Sequence, residues 1–254
     1  SGCVHTPYII DLVEGLKNVG IEATEDLTEI YKKYIEYAKL KCEADRPQER
    51  WFAAPYMGDQ VVPEIEMSEL CISRQVEKSD IAIVTITRQA GEGIDRSIEG
   101  EFNLTELERK LIQDVSIAYH AQNKPVIVVI NSGSVIETTS WSAYPDAILV
   151  AWQPGEEGGN SVVDILTGKV NPSGRLTMTW PLTASDHPST ANFPKDMGTF
   201  TYDNLRMYPG GIKDRDFTNH DEDIWVGYRY FDTWNKQVAY PFGYGLSYTT
   251  FQFG

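Results

Sequence analysis

The chain has 254 residues, of which 41% are hydrophobic and 23% are charged. This length allows a large buried core, and the composition is typical of a globular protein rather than a disordered one. The formal net charge of −15 argues against a nucleic-acid partner, because phosphate binding requires an excess of Lys and Arg. No apolar run approaches the ~20 residues of a membrane span. We recognise no targeting segment and assign no compartment.

Two amphipathic helices are predicted in the first part of the chain. Thr6 as N-cap and Pro7 as first helical residue predict a helix from Pro7 to about Val19, and Gly20 follows its end. Apolar residues at helical spacing predict a second helix over 27–42. An α/β domain normally supplies a strand before its first helix. We therefore expect this chain to lack the first strand of its domain.

Apolar β-branched runs alternate with helical patterns in the middle of the chain. The predicted strands are 81–87, 125–130 and 147–152, and the predicted helical segments are 68–79, 104–122, 134–142 and 160–166. The strands do not alternate apolar and polar residues, as is typical of a parallel sheet covered on both faces. The predicted fold is therefore α/β, a mostly parallel sheet with helices on both faces, or α/β sandwich. Beyond residue 171 we expect a short strand at 176–180, a long irregular stretch at 182–223 and an aromatic, glycine-rich end.

One loop combines charge with backbone freedom where the first predicted strand ends. The sequence Arg88-Gln89-Ala90-Gly91-Glu92-Gly93-Ile94-Asp95-Arg96 follows strand 81–87. Ligands of open α/β sheets bind at this edge, and the flanking glycines allow another surface to approach Glu92 closely. A carboxyl group partly desolvated there is able to keep its proton near neutral pH and act as a general acid. We expect Asp95 to pair with Arg88 or Arg96 and so hold the shape of the loop. A plain surface turn remains the alternative.

Other constellations are weaker. The glycines at 91–93 or 155–159 do not form the G-x-G-x-x-G pattern of a dinucleotide loop. A triad of Ser132 or Ser134 with one of the four histidines, at positions 5, 120, 187 and 220, lacks the G-x-S-x-G elbow. The run from His220 to Asp223 is read as a solvated acidic loop, since adjacent residues rarely converge on one ion. The three cysteines do not form a metal cage or a disulfide framework. We therefore predict no metal and no cofactor.

Two other carboxylates compete with Glu92 for the role of proton donor. Glu156 and Glu157 open a predicted helix, whose backbone N–H groups stabilise the charged form. This suits a helix cap better than a general acid. Aromatic residues are also abundant, and such rings often stack on sugar faces, but most of them are expected in the core. The aromatic residues considered are Trp51, Trp141, Trp152, Trp225 and Tyr244.

The motifs, in their order and spacing, resemble the α/β-sandwich domain of the family 3 glycoside hydrolases. The resemblance is closest to the bacterial β-glucosidase branch, in which the loop reads G-E-G-x-D-R. The matching stretches are 1–2, 88–96, 126–133, 151–159, 168–181, 225–233 and 240–251. The resemblance implies that residues 1–254 form one such domain, a fragment without its first strand and without the catalytic barrel of the family.

The resemblance also implies a function. It implies retaining hydrolysis of terminal β-D-glycosides, with a β-glucoside or a short β-linked oligosaccharide as substrate. A (β/α)8 barrel supplies the aspartate nucleophile, and Glu92 serves as the acid/base residue. Ser1 maps to the glycine-rich turn that faces the non-reducing sugar. This chain alone is predicted to be inactive. The alternative is a non-catalytic carbohydrate-binding or structural module.

Overall fold

A computed structural model describes residues 7–44, 62–88, 96–191, 220–250 and 252. Within these residues the α-helices are α1 Leu12–Asn18, α2 Glu25–Ala44, α3 Glu69–Lys78, α4 Glu106–His120, α5 Gly158–Leu166 and α6 Tyr228–Thr233. The strands are β1 Ala82–Arg88, β2 Val126–Ser132 and β3 Ala147–Val150. No described helix is both long and apolar enough to cross a membrane.

The three strands form a parallel sheet in the order β1-β2-β3. Helices α3 and α4 cover one face, where the core includes Ile86, Ile112, Val128 and Ile130. On the other face, residues of α1, α2 and α5 border a groove along the strands. The predicted α/β fold with a parallel sheet is therefore confirmed. The reason is visible in β2, whose residues on both faces are apolar and mostly buried.

Helix α4 begins where its sequence contains a T-x-x-E pattern. Thr105 is the N-cap, and its Oγ1 accepts the backbone N–H of Glu108. The Glu108 carboxylate in return accepts the backbone N–H of Thr105 at 2.8 Å. This capping box satisfies two backbone donors at the start of the helix. It also places the Glu108 carboxylate beside the end of β1.

The first helix starts later than predicted. It begins at Leu12, because Asp11 is the N-cap and its Oδ1 accepts the Glu14 N–H at 2.8 Å. Ile10 stays outside the helix, since its N–H donates to Glu156 O and its carbonyl accepts from Gly159 N–H, both at 2.8 Å. The proposed cap Thr6 lies outside the described residues. Gly20 follows the helix as predicted, with φ of +79°.

The short helical turn predicted over 134–142 forms only in its second half, where Ser142 N–H donates to Thr138 O at 2.8 Å. Residues 135–138 have no regular secondary structure and are followed by a turn over 139–143. The backbone groups of Val135 and Glu137 bond outside the segment: Glu137 N–H donates to Phe102 O at 2.8 Å, and Arg96 donates to Val135 O. These partners compete with helical hydrogen bonds. The short strand predicted at 176–180 is not formed, because residues 177 and 178 are bends and only Trp180 makes a bridge, antiparallel to Tyr240 and outside the sheet.

The aromatic residues divide between core and surface. Trp141 is fully buried, and Trp152 is partly buried against the core and packs edge-to-face on Trp180. Trp225 and Tyr244 lie on the surface and expose 38% and 39% of their area. Trp51 lies outside the described residues.

Candidate active site

The three strands bring their carboxyl ends to one edge of the sheet. Arg88, the last residue of β1, lies opposite Ser132, the last residue of β2. Val150 ends β3 beside Ile130. Residues 89–95, the Glu92 segment, follow Arg88 directly in the sequence. Glu92, Asp95 and Ser1 themselves lie outside the described residues, so the structure describes the surroundings from which the Glu92 segment departs.

Arg88 is a buried cation that donates four hydrogen bonds. Only 6% of its surface is exposed. Its Nη1 and Nη2 donate to the two carboxylate oxygens of Glu108 at 2.6 and 2.8 Å, and its Nε donates to Glu101 O at 2.8 Å. A buried guanidinium is tolerated when a carboxylate meets it in this two-bond geometry and further acceptors satisfy the remaining N–H groups. The end of β1 is therefore tied to the start of α4.

Arg96, on the other side of the Glu92 segment, is also held by backbone carbonyls. Its Nη2 donates to Val135 O at 2.6 Å and its Nη1 to Glu101 O at 3.4 Å. Burial lowers the pKa of its guanidinium, although Glu101 acts in the opposite direction. Residues 97–103 then fold into a tight turn with Gly100 at φ +81°, closed by the Asn103 N–H donating to Ile98 O at 2.7 Å. The Glu101 carboxylate accepts the Ser97 N–H within this turn.

The partner of Arg88 was not foreseen from the sequence. We expected Asp95 to pair with Arg88 or Arg96, and the structure pairs Arg88 with Glu108; Asp95 lies outside the described residues. The signal available in the sequence was the T-x-x-E capping box, since it places the Glu108 carboxylate at the helix start. The role of Glu101 O had no such signal, because a backbone carbonyl can be offered by any residue type.

The turn after β2 uses Ser132 for structure. Its buried hydroxyl donates to Ser134 O at 2.7 Å. Gly133 lies against the side chain of Gln153, which a Cβ would approach to 2.9 Å. His120 bonds Asp146 at 2.9 Å, and Asp146 also accepts the N–H of Val126 at the first residue of β2. Ser132 ends that strand about 20 Å away, so His120 and Ser132 do not form a triad.

One residue in the turn after β3 has an unusual backbone conformation. Trp152 has φ of +55°, a region that bulky residues rarely adopt. At the start of α5, Glu157 accepts the Asn160 side-chain amide at 2.6 Å and the Tyr8 hydroxyl at 2.8 Å. These two hydrogen bonds, the amide first, lower the pKa of Glu157. The charged form is stabilised as predicted, although by side-chain donors, because Glu157 makes no side-chain cap bond to the helix backbone.

Metal ligands do not cluster in the part of the chain that the structure describes. No three His, Cys, Asp or Glu side chains among these residues are placed to hold an ion. The segment from His220 to Asp223 forms a turn on the surface, with Asp223 at φ +49°. His187, the remaining described histidine, packs edge-to-face on Phe231, with ring centroids 5.3 Å apart.

Comparison with known proteins identifies relatives over almost the whole chain. The family model of the glycosyl hydrolase family 3 C-terminal domain matches residues 1–248. β-Glucosidase A of Butyrivibrio fibrisolvens is 36% identical over 280 aligned residues, covering 99% of this chain and 30% of that protein. A β-glucosidase of Ruminococcus albus is 32% identical, covering 99% of this chain and 24% of that protein.

A solved structure shares the fold. β-Glucosidase 3B of Thermotoga neapolitana, determined in complex with glycerol, matches with a TM-score of 0.82 and 39% identity. The match covers 98% of this chain and 32% of that chain. The chain thus spans about a third or less of the length of these relatives. The resemblance seen in the sequence is confirmed: the chain belongs to the family of glycoside hydrolase family 3 C-terminal domains.

Proposed function

We propose that this chain is the acid/base domain of a retaining β-glucosidase and that Glu92 is its acid/base residue. Glu92 protonates the glycosidic oxygen as the leaving group departs. It then removes a proton from the water that hydrolyses the glycosyl-enzyme intermediate. The observation that carries the proposal is the position of the G-E-G-x-D-R segment at the carboxyl end of β1, in a chain of this family.

The surroundings of the segment support this role. General acid catalysis requires a carboxyl group held within hydrogen-bond reach of the leaving oxygen. Both residues that flank the segment, Arg88 and Arg96, donate to fixed carbonyls of the domain. The Glu157 carboxylate fits the role less well, because its hydrogen bonds favour the charged form.

The nucleophile is proposed to come from a different domain. In retaining glycosidases the two catalytic carboxyl groups stand about 5–5.5 Å apart. The family resemblance assigns the second carboxyl group to an aspartate of a (β/α)8 barrel. The relatives, of which this chain covers 30% and 24%, have ample length for such a domain. We therefore propose a barrel in the same longer polypeptide, and a β-glucoside or short β-linked oligosaccharide as substrate. Ser1 is proposed to contact the non-reducing sugar.

A first strand is proposed to complete the sheet. Among the residues that the structure describes, no strand pairs with the outer edge of β1, and Thr85 and Thr87 on it are exposed. A groove of about 1200 Å³ runs along this edge. Its apolar lining comes from several helices and from strands β1 and β2, and it includes Leu12, Leu16, Leu27, Tyr31, Ile83 and Ile127. A parallel strand of the same polypeptide, preceding residue 1, would satisfy the free edge of β1 and fill the groove.

Substitution of Glu92 in the barrel-containing polypeptide tests the proposal. Glu92→Ala is expected to lower kcat/KM about 10²- to 10⁴-fold for alkyl β-glucosides, whose leaving groups need protonation. For 2,4-dinitrophenyl β-glucoside, whose leaving group departs unprotonated, kcat/KM is expected to change little. Its kcat is expected to fall, because the second step loses its base, and azide is expected to restore it by forming the glycosyl azide.

The matched control is Glu99→Ala, which removes an exposed carboxylate from the neighbouring turn. This variant is expected to retain wild-type kinetics with both substrates. Unchanged turnover of alkyl glucosides by Glu92→Ala, without azide rescue, would show that Glu92 is not the acid/base residue. It would favour the alternative of a non-catalytic module.

A further inference from the structure

Two arginines, one on each side of the segment that carries Glu92, donate hydrogen bonds to the same oxygen atom. Glu101 O accepts Nε of Arg88 at 2.8 Å and Nη1 of Arg96 at 3.4 Å. These arginines are the residues immediately before and immediately after the segment 89–95. The two arginines that flank this seven-residue segment are therefore held by one carbonyl oxygen.

Each arginine also has a second anchor in a different element. Arg88 holds both carboxylate oxygens of Glu108, which in turn caps α4 through Thr105. Arg96 donates to Val135 O, on the segment that follows β2. The base of the Glu92 segment is therefore tied on one side to the N-terminus of α4 and on the other to the exit of β2.

The acceptor itself is held in place. Glu101 lies in the turn over 98–102, where Gly100 adopts φ +81° and the Glu101 carboxylate accepts the Ser97 N–H. The turn also bonds to the segment after β2, since Glu137 N–H donates to Phe102 O at 2.8 Å. A carbonyl oriented in this way costs no reorganisation when the arginines bind it.

We propose that Arg88, Arg96 and Glu108 form a clamp that positions Glu92 for proton transfer to the leaving group. This rests on the proposed function of Glu92. The three are positioning residues, because they act through Glu92 rather than on the substrate. The reaction rate depends steeply on the position of a catalytic group, since a misplacement of about 1 Å can lower the rate about 10²-fold.

The test compares two substrates in the barrel-containing polypeptide. Arg96→Met is expected to lower kcat/KM for an alkyl β-glucoside by about 10- to 100-fold, because protonation then comes from a displaced carboxyl group. For 2,4-dinitrophenyl β-glucoside, kcat/KM is expected to fall less than about 3-fold, since that leaving group needs no acid. A loss of folded enzyme would lower both values by the same factor, so their ratio reports positioning alone.

Further variants separate the clamp from general damage. Arg96→Lys is expected to recover part of the loss in the ratio of the two kcat/KM values. A lysine ammonium group can bond to Glu101 O or to Val135 O, but it lacks the planar fork of the guanidinium that bonds to both. Glu108→Gln is expected to shift the ratio in the same direction as Arg96→Met, through Arg88, while an amide oxygen remains to cap α4. Arg109→Met, at an exposed position of α4, is the matched control and is expected to leave the ratio unchanged.

The outcomes distinguish the clamp from the function on which it rests. If Glu92→Ala separates the two substrates but Arg96→Met and Glu108→Gln do not, the clamp is wrong and the role of Glu92 stands. If Glu92→Ala does not separate them, the proposed function is wrong and the clamp proposal is overturned with it. A changed ratio in Arg109→Met would also contradict the clamp.

Discussion

Helices α1 and α5 meet at two glycines, and Gly159→Ala tests how close that contact is. A Cβ on Gly159 would lie 1.8 Å from Asp11 O and 2.4 Å from Asp11 C. A Cβ on Gly15 of α1 would likewise lie 2.5 Å from Gly159 C. The neighbours are backbone atoms, which cannot turn aside as a side chain does.

The size of the effect follows from these distances. To bring the new Cβ from 1.8 Å to 3.0 Å from Asp11 O, the two backbones must separate by about 1.2 Å. A parallel shift would stretch the bond from Gly159 N–H to Ile10 O from 2.8 Å to about 4.0 Å, beyond hydrogen-bond range. Overpacking costs about 1–3 kcal/mol and the lost hydrogen bond about 1 kcal/mol. Better helix propensity returns about 0.5–1 kcal/mol. We expect a net loss of about 1–3.5 kcal/mol.

Thermal and urea unfolding followed by circular dichroism measure this loss. For a chain of this length it corresponds to a fall in Tm of about 2–14 °C. The control is Gly174→Ala, because Gly174 is exposed, has no atom within 4 Å of its would-be Cβ and does not require positive φ. Its expected change is within about 0.5 kcal/mol. Equal stabilities of the two variants would refute the backbone contact between α1 and α5.

Two further predictions concern the core and the pH dependence. Ile112→Ala is expected to lower the free energy of unfolding by about 2–5 kcal/mol, because Ile112 is fully buried on α4. Ile117→Ala, on the exposed side of α4, is expected to cost less than about 0.5 kcal/mol, and similar urea midpoints of the two variants would contradict this orientation of the helix. Burial lowers the pKa of His187, so the unfolded chain takes up a proton first as the pH falls through about 6.5. Stability should therefore decrease from pH 7.5 to 5.5, and His187→Gln should reduce that decrease; an unchanged pH slope would show that His187 does not contribute to it.

Much of the fold was readable because the signals were local. Strand β2 is an unbroken β-branched run after a proline, and no competing pattern overlaps it. Helix α4 was predicted over 104–122 from the spacing of its apolar residues, and the structure has it over Glu106–His120. Gly20 and Gly168 mark helix ends because both require positive φ, here +79° and +73°.

The errors arose where distant partners competed with local preference. Thr6 and Pro7 are a good local start for α1, but Ile10 bonds to Glu156 and Gly159, which keeps the backbone extended to Asp11. Residues 135–137 likewise bond to Phe102 and Arg96 instead of to helical partners. Neither partner is visible within a window of a few residues.

The same division holds for the candidate site. The sequence alone determined the family, the succession of the strands along the chain and the place of Glu92 in the segment that follows β1, because these depend on residue types and spacing along the chain. The tertiary structure decided which carboxylate meets Arg88, and it chose Glu108, 20 residues away. It also decided that one carbonyl, that of Glu101, receives both arginines. Such choices depend on the distances between atoms of separate elements, and those distances exist only once the chain has folded.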